Sequence, residues 1–152
     1  MSYVRGVLQP GETVLRTAML HWVLYVRGLF LLVLAVLAYI FGVKLEGHEL
    51  AVQVVAGVLL LAGLALVAGA WFRQWITEIA VTNRRVIYKT GLISRRTSEM
   101  NMDKVESVVV DQTILGRLLG YGSIDIRGTG DGIETLRVVA APWELRNAIT
   151  AR

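Results

Sequence analysis

GLFLLVLAVLAYIFGV at Gly28–Val43 and VVAGVLLLAGLALVAGAWF at Val54–Phe72 decide how this chain is organised, because neither run contains a charge. The first has 16 residues and reaches about 24 Å as a helix, short of a hydrocarbon core of about 30 Å. A start near Trp22 supplies the missing turn, with His21, Trp22 and Tyr25 suited to a headgroup boundary and Arg27 snorkelling back to it. The second has 19 residues, reaches about 29 Å, and closes on Trp71, Phe72 and Trp75. The two runs are therefore expected to form a transmembrane hairpin over residues 22–73. The competing reading, a buried core hairpin, demands more wrapping chain than 152 residues provide.

Basic residues set the expected orientation. Arg5, Arg16 and Arg27 precede the first span and Arg73, Arg84, Arg85 and Lys89 follow the second, whereas the intervening turn holds Lys44 against Glu46 and Glu49. The positive-inside bias places both termini in the cytoplasm and the turn outside. No A-x-A pattern follows the first run, so it is expected to stay as an anchor rather than be cleaved.

Composition divides the same way. The 55% hydrophobic content is concentrated in the hairpin, leaving material for one polar domain at 74–152 and a cytosolic segment at 1–21. With no cysteine, the chain has no disulfide, thiol nucleophile or thiolate metal ligand. The net charge of +4 is spread over both halves, which argues against a nucleic-acid partner.

Along the chain, Pro10-Gly11-Glu12 reads as a turn, and Thr13–Met19 alternates as a strand does, although an extension of the first helix down to Val14 fits too. After Phe72 the pattern has period two. Thr77–Thr82, Arg85–Lys89, Leu92–Met102, Glu106–Gln112, Ser123–Arg127 and Ile133–Ala140 read as strands separated by turn residues. Asn83, Gly91 and Gly122 suit left-handed or reversing backbone. Pro142, Glu144, Leu145, Ala148 and Ile149 read as a final helix. Short strands at regular spacing followed by one helix predict a small, highly curved antiparallel sheet plugged by that helix.

Thr82-Asn83-Arg84-Arg85-Val86-Ile87, Lys89 to Thr97, Asp103-Lys104-Val105-Glu106-Ser107-Val108 and Leu115-Gly116-Arg117-Leu118-Leu119-Gly120-Tyr121-Gly122 occur as linked blocks in this order. They resemble the bacterial pleckstrin-homology-like (PH-like) domain of the YdbS/YdbT-like group over about residues 70–150, and the Leu8–Glu12 block and the two spans also resemble its short members. The resemblance implies a seven-stranded, partly open antiparallel PH-like barrel closed by a C-terminal helix and anchored in the plasma membrane; with six strands read after the hairpin, Thr13–Met19 is the candidate seventh. It implies no enzymatic activity, cofactor or settled ligand.

Candidate functional residues are few. Arg73, Arg84, Arg85, Lys89, Arg95 and Arg96 make 73–99 the most basic part of the chain, either to meet anionic headgroups or a partner, or merely to satisfy topology. Ala38 and Gly42, and Ala65 and Gly69, are small pairs four apart that let helices approach; being at opposite depths they cannot meet each other, which leaves one pair for another protein. Ile114, Leu115, Leu118 and Leu119 share a helical face expected to cover the open end of the barrel, with lipid insertion as the alternative. Gly128–Gly132 lacks the lysine and helix start of a phosphate loop and reads as a hairpin turn. His48 with Glu46 or Glu49 is a poor metal-ligand set, and Asp103, Glu106 and Asp111 are expected to be solvated or paired with Lys104. Neither His21 nor His48 can serve Ser94, Ser98, Ser107 or Ser123 as a base across such distances.

Two roles follow as expectations for this non-enzymatic chain, with the lipid bilayer as its constant partner. One is an assembly or scaffold module binding other membrane proteins or copies of itself. The other is a domain sensing anionic lipid or a small ligand. The orientation is directly testable. A reporter fused after Arg152 is expected to be cytosolic and a tag at Gly47 accessible from outside, and protection of the Gly47 tag in intact spheroplasts would reverse it.

Overall fold

The computed structural model describes residues 3–42, 49–91, 96–129 and 133–151. In chain order the elements are α1 (Tyr3–Val7), β1 (Val14–Ala18), a 3-10 turn (Trp22–Tyr25), α2 (Val26–Gly42), α3 (Glu49–Ile76), β2 (Glu78–Thr82) and β3 (Arg85–Thr90). There follow β4 (Arg96–Asn101), a second 3-10 turn (Met102–Lys104), β5 (Val105–Asp111), α4 (Ile114–Leu119), β6 (Tyr121–Gly128), β7 (Ile133–Ala140) and α5 (Pro142–Thr150). The chain forms two compact units, one of residues 22–73 and one combining residues 1–21 with 74–152.

Trp22–Gly42 and Leu50–Ile76 are both long and apolar enough to cross a membrane, at about 31 and 40 Å of helix. Their mutual packing uses small residues at a seven-residue interval. Gly28, Ala35 and Gly42 are buried on α2, and Ala56, Gly63 and Ala70 on α3. A Cβ at Gly28 would lie 2.9 Å from the backbone nitrogen of Val67, and one at Gly63 would lie 3.1 Å from that of Leu32. The backbones thus approach more closely than side chains permit. Of the four small residues singled out in the sequence, only Gly42 is buried in this seam; Ala38 is half-buried, and Ala65 and Gly69 face outward.

The second unit is built from two antiparallel sheets, β1-β2-β3-β4 and β5-β6-β7. Two separate sheets thus stand where a single partly open barrel was expected. The sheets meet in sequence through the Met102–Lys104 turn, and an isolated bridge between Leu20 and Val139 joins them at another corner. Ile79, Val81, Val86, Ile124, Ile126, Leu136 and Val139 fill the space between the sheets, and α5 inserts Leu145 and Ile149 into the same core. On the outer face of β2–β3, α1 places Val4 against Ala80 and Ile87, with Val7 and Leu8 packed alongside.

Residues 14–18, where strand and helix both fitted the sequence, form β1 and pair with β2 in the register Ala18↔Ile79 and Val14↔Thr82. Asn83 does not adopt left-handed backbone, whereas Gly91 does, at φ +87°. Gly122 answers a different need, since a Cβ there would stand 2.8 Å from the carbonyl of Asp111. Among the described residues Val138 is the one β-branched residue at positive φ, +58°, in the irregularity between β6 and β7 that lies beside the Leu20 bridge.

The seam makes a contrast between two glycines of α3. In a detergent that keeps the protein as a single chain, Gly63→Leu is expected to lower stability by about 1–3 kcal/mol through overpacking, whereas Gly69→Leu should stay within about 0.5 kcal/mol. Thermal unfolding of the two full-length variants measures the difference, and equal losses would show that the seam is not where the helices pack.

Candidate functional site

The basic residues of 73–99 separate by position once the strands are registered. Arg84 and Arg85 sit at the β2–β3 turn, beside Gly11–Thr13. Lys89 stands opposite Glu78 at the other end of the hairpin, and Thr90 pairs there with Arg96. About five residues of strand, some 17 Å, divide the two groups. Arg73 is exposed in the last turn of α3 and belongs to the helical unit. Arg95 lies outside the described residues.

Arg85 is consumed by the fold. Its Nε and Nη2 donate to Glu12 Oε1 and Oε2 at 3.0 and 2.9 Å, its Nη1 to Glu99 Oε2 at 2.7 Å, and its Nη2 also to the Val7 carbonyl at 2.8 Å. Only 12% of the Arg85 side chain is exposed and none of that of Glu12. Glu12 accepts further from the Thr82 hydroxyl at 2.7 Å and from the backbone N–H of Gln9 at 2.8 Å. The guanidinium hydrogen bond is the main reason its carboxyl falls from 4.5 to about 2, against burial, which pushes it up; Glu12 in turn raises Arg85. Four of its five N–H groups are thus engaged inside the fold, which leaves this arginine little to offer a headgroup. The exposed cation at this end is Arg84.

Asn83 completes the clasp. Its Oδ1 accepts from the Thr13 N–H at 3.0 Å and its Nδ2 donates to the Gly11 carbonyl at 3.3 Å. Sequence reading missed Glu12 as the partner of Arg85. The available signal was that Glu12 is the sole carboxylate before Glu46, immediately ahead of a segment with strand alternation.

The opposite end of the domain carries the chain's two connections to the apolar helices. Here the Gln74 side chain donates to the Leu20 carbonyl at 3.1 Å, the His21 N–H donates to Val138 at 2.8 Å, and the His21 ring lies 5.3 Å from that of Tyr121. His21 is buried against an aromatic ring. Tyr121 directly follows α4, which reverses one expectation. Ile114, Leu115 and Leu118 do not cover the core; they are 90%, 63% and 81% exposed. The reason is Gly116, whose missing side chain lets α4 lie against the Tyr121 carbonyl and turns the leucines outward.

Among the described residues no group of three or more His, Cys, Asp or Glu could hold a metal ion. His48 and Glu46 lie outside them, as do Gly130–Gly132 of the glycine-rich turn. Asp103, Glu106 and Asp111 are spread from the 3-10 turn to the far end of β5, all exposed. A family model for the bacterial PH domain matches residues 12–152. Searches of curated proteins and of solved structures found no match.

The buried pair gives a pH dependence of defined sign. Because the carboxyl of Glu12 is depressed on folding, its contribution is full above about 4.5 and is lost as the pH falls toward about 2. Glu12→Gln should therefore cost about 3 kcal/mol at pH 7, by leaving Arg85 buried with a neutral partner. The gap to the wild type should narrow between pH 4.5 and 2 in denaturation of the full chain, and a gap independent of pH would remove the ionised pair from the account.

Proposed function

Because the chain belongs to the bacterial PH domain family, we propose that its two apolar helices hold a non-enzymatic PH-like module in the bacterial plasma membrane, with both termini cytoplasmic. The module serves as an assembly, scaffold or accessory subunit for other membrane proteins or for copies of itself. The observation that carries this reading is the division of small residues on α3. Ala56, Gly63 and Ala70 are spent within the hairpin, while Ala65 and Gly69 remain on its outer face at a spacing that admits another helix backbone. The engagement of Arg85 supports it as well, since one of the sequence's two adjacent arginine pairs, Arg84-Arg85, is half occupied by the fold.

A second reading keeps one specific support. Lys89 and the backbone position of Arg96 lie at the end of the domain where the chain joins its apolar helices, where a cation would meet anionic lipid or a small anionic ligand. Salt separates the two, because headgroup attraction is screened and apolar helix contact is not.

After gentle solubilisation from native membranes, the full-length protein is expected to migrate as an assembly larger than one chain, unchanged by a high-salt wash and reduced to single-chain size by Gly69→Leu. Size-exclusion chromatography with light scattering reads the mass. A single chain that releases bound anionic lipid in high salt would favour the sensing role instead.

A further inference from the structure

We propose that α4 is a third membrane contact of this protein, a short helix lying in the bilayer interface, with Ile114, Leu115 and Leu118 among the acyl chains and Arg117 at the anionic phosphates. The inference rests on the reading that the apolar helices cross a membrane.

The helix is a built feature. Thr113 caps its start, accepting from the Gly116 N–H at 3.0 Å, and Gly120 ends it in left-handed backbone. A Cβ at Gly116 would stand 2.7 Å from the Tyr121 carbonyl, so this face is pinned to the domain and α4 cannot roll to bury its leucines. Positions 114, 115 and 118 share the opposite face. Three large aliphatic side chains held out together on a six-residue helix are a contact surface rather than a frayed end.

Its location selects lipid as the occupant. Both ends of α4 are tied to the end of the domain from which the chain passes into the apolar helices. Before it, Gln112 accepts from the Trp143 indole at 2.7 Å and donates to the Tyr121 carbonyl at 2.9 Å. After it, Tyr121 stacks near His21, the residue immediately ahead of the run that begins at Trp22. Met19 and Trp143 add exposed apolar surface at the same end, at 69% and 51% exposure. Charge agrees, since Arg117 is the sole charged residue between Gln112 and Gly122. An aliphatic face, a basic residue and a neighbouring tryptophan are the composition of interfacial helices, which sit about 5–10 Å into the headgroup boundary.

The absence of native cysteine allows a clean test. Full-length Leu118→Cys, Glu106→Cys and Leu61→Cys are each labelled with an environment-sensitive fluorophore. They are reconstituted in vesicles of phosphatidylethanolamine and phosphatidylglycerol without a lipid quencher, or with one placed at a shallow or a deep position on the acyl chain. Leu61 lies on the exposed face of α3, and Glu106 is exposed at the end of β5 away from α4. The 118 probe is expected to be blue-shifted and to lose most of its emission to the quencher, while the 106 probe keeps its emission. An unquenched 118 probe beside a quenched 61 probe would overturn the α4 proposal and leave the anchoring intact. A blue-shifted but unquenched 118 probe would mean that protein covers α4, which also overturns it. If the 61 probe escapes quenching by shallow- and deep-labelled lipid alike, the anchoring falls and the α4 proposal with it.

Discussion

The ion pair between Glu12 and Arg85 is the constraint on which the rest of this architecture depends. Strand β1 presents Val14, Leu15, Arg16 and Thr17 to solvent and only Ala18 partly to the core, so hydrophobic alternation does little to set its register. Polar contacts do that work. Glu12, seated on Thr82 and Arg85, and Asn83, clasping Gly11 and Thr13, hold the chain entering β1 at one position against the β2–β3 turn. A buried carboxylate and guanidinium add little net stability over apolar side chains of the same volume, but removing either strands the other. Here the pair specifies alignment, and the alignment delivers Met19–His21 to the edge of β7.

That delivery depends in turn on a distortion. Near the Leu20 bridge the β6–β7 register slips, and Val138 takes a left-handed conformation that costs a β-branched residue about 1–3 kcal/mol. Its carbonyl accepts the His21 N–H, and the Met19 carbonyl accepts from Ala140. The two sheets are thereby joined at this corner by the segment that goes on to become an apolar helix.

Much of this was legible in the sequence, and the pattern of success is physical. Long uncharged runs and period-two alternation report burial on a scale longer than any one contact, so the two helices, the six strands from Glu78 to Ala140 and the final helix could be read directly. Features set by a single close approach could not. The four-residue small pairs suggested a packing face, but the helices meet on the seven-residue stripe through Gly28, Ala35 and Gly42, visible only once an antiparallel partner with the same period is sought. The α4 leucines matched a core-covering face by spacing, and Gly116 alone decides that they point away. Arg85 looked like one of six surface cations because nothing local marks a partner 73 residues earlier. The short helix Tyr3–Val7 left no periodic trace long enough to read.

The helical pair is inserted between β1 and β2, two adjacent strands of one sheet, and so takes the place of an ordinary hairpin turn. Thr82 and Glu12 meet across 70 residues of chain, a separation that would impose a heavy loop-closure entropy if the intervening segment were flexible. Two antiparallel helices fastened along a glycine and alanine seam shorten that loop in advance. During synthesis, β1 emerges first and has no partner until both helices have been made and paired. The connectivity thereby favours one order of assembly, in which the helices pair, their ends converge and the sheet then gains its first strand at reduced entropic cost. A chain whose helices fail to pair leaves β2 as a naked edge, and the fault would surface as aggregation of the β domain although every residue of its core is intact.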